Sequence, residues 1–143
     1  MKRKALTAVG VSLFAFTIAL VVMTSASRAP TDAVPRAVVN PASIDFGDID
    51  QKGGLVATTV TVLNSGNTPL EIHRVSTSCG CTTANMDTSP LQPDEERALT
   101  ISFDPMVHAD QSGPITRVVY LQTSDPEQPE IEINIIGNVI PSE

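Results

Sequence analysis

The residues best suited to chemistry are two cysteines one residue apart in Ser78-Cys79-Gly80-Cys81-Thr82, the only cysteines in this 143-residue chain. Two residues of extended chain span at most about 7 Å between Cα atoms, and a disulfide needs about 4.4–6.8 Å. A bend in the chain therefore makes a Cys79–Cys81 bond sterically feasible, and Gly80 is the residue expected to bend most easily. The closed loop is so small that it removes little entropy from the unfolded chain. A bond of little use as a staple, easily reduced because its ring is small, suits thiol–disulfide exchange. Against this stand the lack of a thioredoxin-like βαβ pattern and of a nearby Lys or second His that would favour a thiolate.

Soft metal binding is the second chemistry the residue types allow. Cys79, Cys81, Met86 and His73 lie near the motif, and Met106 and His108 occupy a later loop. If residues 82–86 form a strand, the chain reverses twice between the motif and that loop, which puts both at the same pole. Thiolate, thioether and imidazole together suit copper(I) or zinc. The one-residue cysteine spacing is not that of a structural zinc hairpin, and His73 points outward from its strand. The plainest alternative is a structural corner of bridged or buried cysteines. Catalysis has less support: Ser76, Ser78 and His73 lack a third orienting group, and no nucleophile elbow is present. Asp94-Glu95-Glu96 reads as a solvated turn, because three consecutive carboxylates do not face one ion. No catalytic residue is assigned, and the expected cofactor is none, with copper or zinc as the alternative.

These residues must be held by strands. Ser43 to Gly47 alternates and ends on Gly; Leu55 to Leu63 places Val56, Val60 and Val62 on one face. Asn64-Ser65-Gly66-Asn67 is a turn cluster. The strand Leu70 to Val75, with Leu70 and Ile72 inward and Glu71 and His73 outward, leads into the cysteines. A short strand over 82–86 follows, then a turn over 90–96. Leu99, Ile101 and Phe103 alternate with polar residues, and residues 104–114 form a loop. Ile115 to Thr123 is apolar on both faces, which predicts a central strand. Ile131, Ile133 and Ile135 alternate in a last strand. About seven short strands without a helix predict an all-β, immunoglobulin-like sandwich; cysteines at i and i+2 cannot bridge its two sheets.

Lys2, Arg3 and Lys4 precede an uncharged run over residues 5–26. A basic start and an apolar run mark an export signal. As a helix the run would span roughly 33 Å, enough to cross a bilayer, so an uncleaved anchor through residues 5–26 is favoured. Thr24-Ser25-Ala26 would serve as the cleavage site of a signal peptide instead. Residues 1–27 are thus read as anchor or signal, 28–37 as a Pro-containing tether, and 38–143 as the sandwich. Either way the domain lies in the cell envelope outside the cytoplasmic membrane, or free in the periplasm after cleavage, where thiols oxidise. From Pro30 onward five basic residues face all sixteen acidic ones. Such a surface repels nucleic acid and anionic lipid, so nucleic-acid binding is excluded.

The run Asn64-x-Gly66-x-x-Pro69-Leu70-x-Ile72, the Ser78-Cys79-Gly80-Cys81-Thr82 motif, Thr100 to Asp104, Ser124-Asp125-Pro126 and Ile135-x-Gly137-x-Val139 resemble a bacterial family of unknown function, domain of unknown function 1573. The resemblance covers roughly residues 38–140. It implies an exported immunoglobulin-like domain similar to the Hydin-type modules of cilia and centrosomes, with no established activity. Ser124 departs from the pattern, since members often carry Asn there; this leaves only that turn's hydrogen bonding open. The expected role is binding or scaffolding of other envelope proteins, by strand addition to an open sheet edge. Thiol–disulfide exchange or copper/zinc handling through Cys79 and Cys81 is the alternative.

Overall fold

The computed structural model describes residues 33–108 and 110–141. The anchor or signal expected over residues 1–27 lies outside the described residues. Among the described residues eight strands form two four-stranded sheets. They are β1 Ala37–Asn40, β2 Ser43–Asp50, β3 Val56–Asn64, β4 Ile72–Thr77, β5 Thr82–Asn85, β6 Glu96–Phe103, β7 Gly113–Thr123 and β8 Glu130–Ile140. One sheet runs β1-β3-β6-β5 and the other β2-β8-β7-β4. The only helical element among the described residues is a short 3-10 turn, Pro105–Val107, capped by the Asp104 carboxylate.

The alternation seen in the sequence becomes a core between the sheets. Val60 and Val62 of β3, Leu99 and Ile101 of β6, Val119 and Leu121 of β7, and Ile133 and Ile135 of β8 are all buried in one cluster. A smaller cluster at one end joins Ile49, Phe103, Ile115 and Val139 to Cys81. Burying apolar area on this pattern contributes about 25 cal/mol per Å². It also sets the register, because a one-residue slip would turn every apolar side chain outward. The apolar run over 115–123 is a central strand, flanked by β8 and β4.

Three details differ from the sequence expectation. First, the strand expected to end at Gly47 continues to Asp50. Gly47, at φ 64°, sits where the pairing with β8 shifts register between Asp45 and Asp48, so the glycine makes a bulge rather than a stop. Second, β1 pairs with β3 from Ala37 onward. Upstream residues read as tether also engage the domain: the Val34 N–H donates to Asn67 Oδ1, and Arg36 forms a two-point ion pair with Glu127. Third, Asn64, read as the start of a turn cluster, is the buried last residue of β3.

That asparagine organises one pole. Its Nδ2 donates to the carbonyls of Thr68 and Leu91, and its Oδ1 accepts from the N–H groups of Gly66 and Arg36. A Cβ on Gly66 would come within 2.4 Å of the Val34 carbonyl, so only glycine permits this approach. Nearby, buried Asp125 accepts from the N–H groups of Ala37, Glu127 and Gln128. Burial pushes the Asp125 carboxyl up, but these three donors, helped by the Arg36 charge, outweigh it and hold the carboxyl below its ordinary range. Ser124 fills its turn position fully: its hydroxyl accepts from the Glu71 N–H, and its own N–H donates to the Glu71 carbonyl.

Candidate functional site

The cysteines sit where the chain leaves one sheet for the other. β4 is an edge of one sheet and β5 an edge of the other, and residues 78–81 are the crossing. Ser78 prolongs the β4–β7 ladder by one step: its N–H donates to the Val118 carbonyl, and its hydroxyl accepts from the Val118 N–H. A tight turn follows, closed by the Thr82 N–H donating to the Cys79 carbonyl. The Thr77 hydroxyl lies 3.0 Å from the carbonyl oxygens of both Cys79 and Thr82. Beyond the turn, the Asp104 N–H donates to the Cys81 carbonyl, and Thr82 pairs with Phe103. The corner is thus held by backbone hydrogen bonds on both sides.

Within it Cys79 and Cys81 form a disulfide, with Cα atoms 5.2 Å apart. The bend is not made by glycine freedom. Gly80 does not adopt positive φ, and a Cβ placed there would meet nothing within 4 Å. The turn geometry is open to ordinary residues, so the expectation that Gly80 enables the bond is corrected. What Gly80 leaves is open space over the corner.

The two sulfurs stand in different surroundings. Cys81 is 2% exposed and packs in the smaller core cluster beside Phe103 and Ile115; Cys79 is half-buried at its margin. The Arg117 Nε–H donates to Cys81 Sγ at 3.2 Å. The Cys81 N–H donates to Cys79 Sγ at 3.1 Å, and His108 Nε2 lies 3.7 Å from the same sulfur. Arg117 is oriented by its own Nη atoms, one donating to the Thr116 carbonyl and the other to Gln111 Oε1. Among the described residues its hydrogen-bond partners are all uncharged, and one of them is the buried sulfur of the disulfide.

Of the sequence candidates, the fold brings together Cys79, Cys81 and His108, whose ligand atoms all lie within 4.8 Å of one another. The double reversal of chain direction does place the loop after β6 beside the motif. The remaining candidate ligands lie apart from that group. His73 faces outward on β4 near the Glu71 carboxylate, Met86 packs against the larger core cluster, and the Met106 side chain is half exposed. Ser78 and Thr82 serve the backbone of the corner. Sequence reasoning missed Arg117. Its signal was present: Arg117 shares the inward period of Ile115, Val119 and Leu121, and a lone cation on the core-facing side of a central strand needs a reason.

The shape and the chain both have relatives. A protein of unknown function from Porphyromonas gingivalis W83 superimposes with a TM-score of 0.68 at 25% identity, over 77% of this chain and 50% of that one. The present chain therefore spans half the length of that relative. PapD-like domain 7 of human CEP192 matches with a TM-score of 0.61 at 13% identity, over 81% of this chain and 93% of that one. The periplasmic chaperone SfaE matches at 0.53 and 11%, over 76% and 59%. The last two show the fold alone. A search of curated proteins found no match. The model of the family described as protein of unknown function (DUF1573) matches residues 38–139, and with strands, turns and cysteine corner in place this chain belongs to that family.

Proposed function

We propose that this immunoglobulin-like domain works outside the cytoplasmic membrane as a thiol–disulfide exchange module, with Cys79–Cys81 as its reactive bond. One observation carries the reading: the half-buried sulfur of Cys79 is bonded to a buried sulfur that faces the Arg117 guanidinium. A partner thiolate attacks Cys79 Sγ and forms a mixed disulfide. The Cys79–Cys81 bond breaks, and its electron pair leaves on Cys81 as a thiolate. The Arg117 Nε–H is positioned to stabilise that leaving group, as a charge-assisted hydrogen bond does. A second thiolate of the partner then attacks the partner sulfur of the mixed disulfide and releases Cys79. The partner dithiol is oxidised by two electrons, and the domain ends as a dithiol.

Trapping tests this directly. In Cys81→Ser the free Cys79 thiolate attacks the disulfide of an oxidised partner, the reverse of the step above; one partner thiolate leaves, and with Cys81 gone no second thiol of the domain resolves the mixed disulfide. This variant should accumulate mixed disulfides in the native envelope, whereas Cys79→Ser should hold far fewer. Equal absence of trapped species in both variants, with both folded, overturns the reading.

A binding or scaffolding role is the second reading. Both sheets are open, so β1, β5, β2 and β4 are edges to which another strand could add. β4 and β5 flank the cysteine corner, so an added partner strand would run beside Cys79. Under this reading a Cys79→Ser, Cys81→Ser double variant captures its partner as well as the parent protein does.

A further inference from the structure

From the same corner we infer that reduction converts the disulfide into a copper(I) site made of Cys79, Cys81 and His108, with Arg117 as its counter-charge. The inference rests on the pair being reducible, as the exchange reading holds. Three soft or borderline ligand atoms from two separate segments lie within 4.8 Å of one another. Ligands bonded to one metal at about 2.0–2.3 Å lie no farther apart than roughly 4.5 Å, so small adjustments suffice. Reduction removes the bond between the sulfurs and lets them part around an ion. His108 is exposed and follows the 3-10 turn, so its ring is free to approach.

The surroundings of the sulfurs fit thiolate ligands. Each already accepts an N–H, Cys79 Sγ from the Cys81 backbone and Cys81 Sγ from Arg117 Nε. Such outer donors orient and tune metal-bound sulfur. Charge then selects the ion. Two thiolates with one copper(I) carry a single negative charge, which Arg117 neutralises. Zinc(II) with the same two thiolates and a neutral imidazole is itself neutral and would leave the partly buried guanidinium uncompensated. Two sulfurs and one imidazole also suit the low coordination number and soft character of copper(I).

The steps balance. A dithiol donates two electrons and two protons to the Cys79–Cys81 bond and becomes a disulfide itself. Copper(I) then binds, displacing the two thiol protons, while His108 contributes a neutral lone pair. Copper is not oxidised or reduced. The oxidised domain offers no thiolate and should release the ion, so the site is gated by redox state.

The experiment uses full-length protein, oxidised or reduced anaerobically with a phosphine, and titrated against copper(I) held by a chromophoric chelator. Reduced protein should withdraw one copper(I) per chain, and oxidised protein none. His108→Ala should weaken retention at least tenfold without altering the count of reduced thiols, and Arg117→Gln should narrow the preference for copper(I) over zinc(II). Copper staying with the chelator overturns the inference, as does equally tight binding by His108→Ala or preferential binding of zinc. Phosphine reduction does not depend on exchange with thiols. A domain that binds copper yet resists a dithiol therefore overturns only the exchange reading, and one that exchanges yet leaves copper behind overturns only this one.

Discussion

The two poles of the sandwich use buried polar chemistry in opposite ways. At one pole Asn64 and Asp125 are buried, at 0% and 1% exposure, and their side-chain hydrogen bonds go to backbone groups. These side-chain bonds lock the start of the domain onto β3 and the turn after β7. At the other pole the backbone of the corner is equally well held, but the side chains are not closed on themselves. A disulfide stands at the margin of the core with an arginine aimed at one sulfur and a histidine beside the other. Saturated burial gives rigidity; under the exchange proposed above, a cation facing one sulfur would favour reactivity.

This contrast is broken most severely at the saturated pole. Asn64→Ala leaves two carbonyls and two N–H groups without their side-chain partner, and should cost about 3 kcal/mol, read as a lower midpoint in urea. The Cys79–Cys81 reduction potential should stay unchanged, because the damage is at the far end. Asp125→Asn should cost about 2 kcal/mol at neutral pH. The Asp125 carboxyl titrates below its unfolded value, so its contribution is fully present above that value and is lost as pH falls through the folded one. Wild-type stability should therefore drop below roughly pH 4, and Asp125→Asn should flatten that acid limb of a pH–denaturation profile.

Effects at the cysteine pole should be smaller in stability and larger in chemistry. The double variant Cys79→Ser, Cys81→Ser should lose about 1.5 kcal/mol or less, since the bridged loop is so short. Arg117→Gln should move the potential roughly 20–30 mV more negative, because a reduced form stabilised by one charge-assisted hydrogen bond loses about 1 kcal/mol of that support. Equilibration with a glutathione redox buffer measures it; an unchanged potential would separate Arg117 from the chemistry. Smallest of all, Gly80→Ala should alter stability by less than about 0.5 kcal/mol, since neither backbone angle nor space requires glycine there.

The strands were legible because they depend on short-range pattern. Leu99, Ile101 and Phe103 alternate with polar residues, and period-two alternation has one solution once a core must be buried. β1 was not legible. Ala37 to Asn40 is a short edge strand preceded by two prolines, and its pairing depends on Asn64 and Asp125, which are distant in sequence and look like ordinary turn residues. The same blindness hid Arg117, which is 36 residues from Cys81. His108 was visible only as a member of a candidate set that also held His73, Met86 and Met106, and nothing in the local pattern separates it from them.

The sequence by itself determined the class of fold, the inward face of nearly every strand, the family, and the fact that Cys79 and Cys81 are close enough to bond. These follow from chain geometry and from alternation over a few residues. Only the tertiary structure decided which sulfur is buried, which cation faces it and which histidine joins it. Those relations depend on where β7 and the loop after β6 come to rest beside the crossing from β4 to β5, and that is set by packing the whole core.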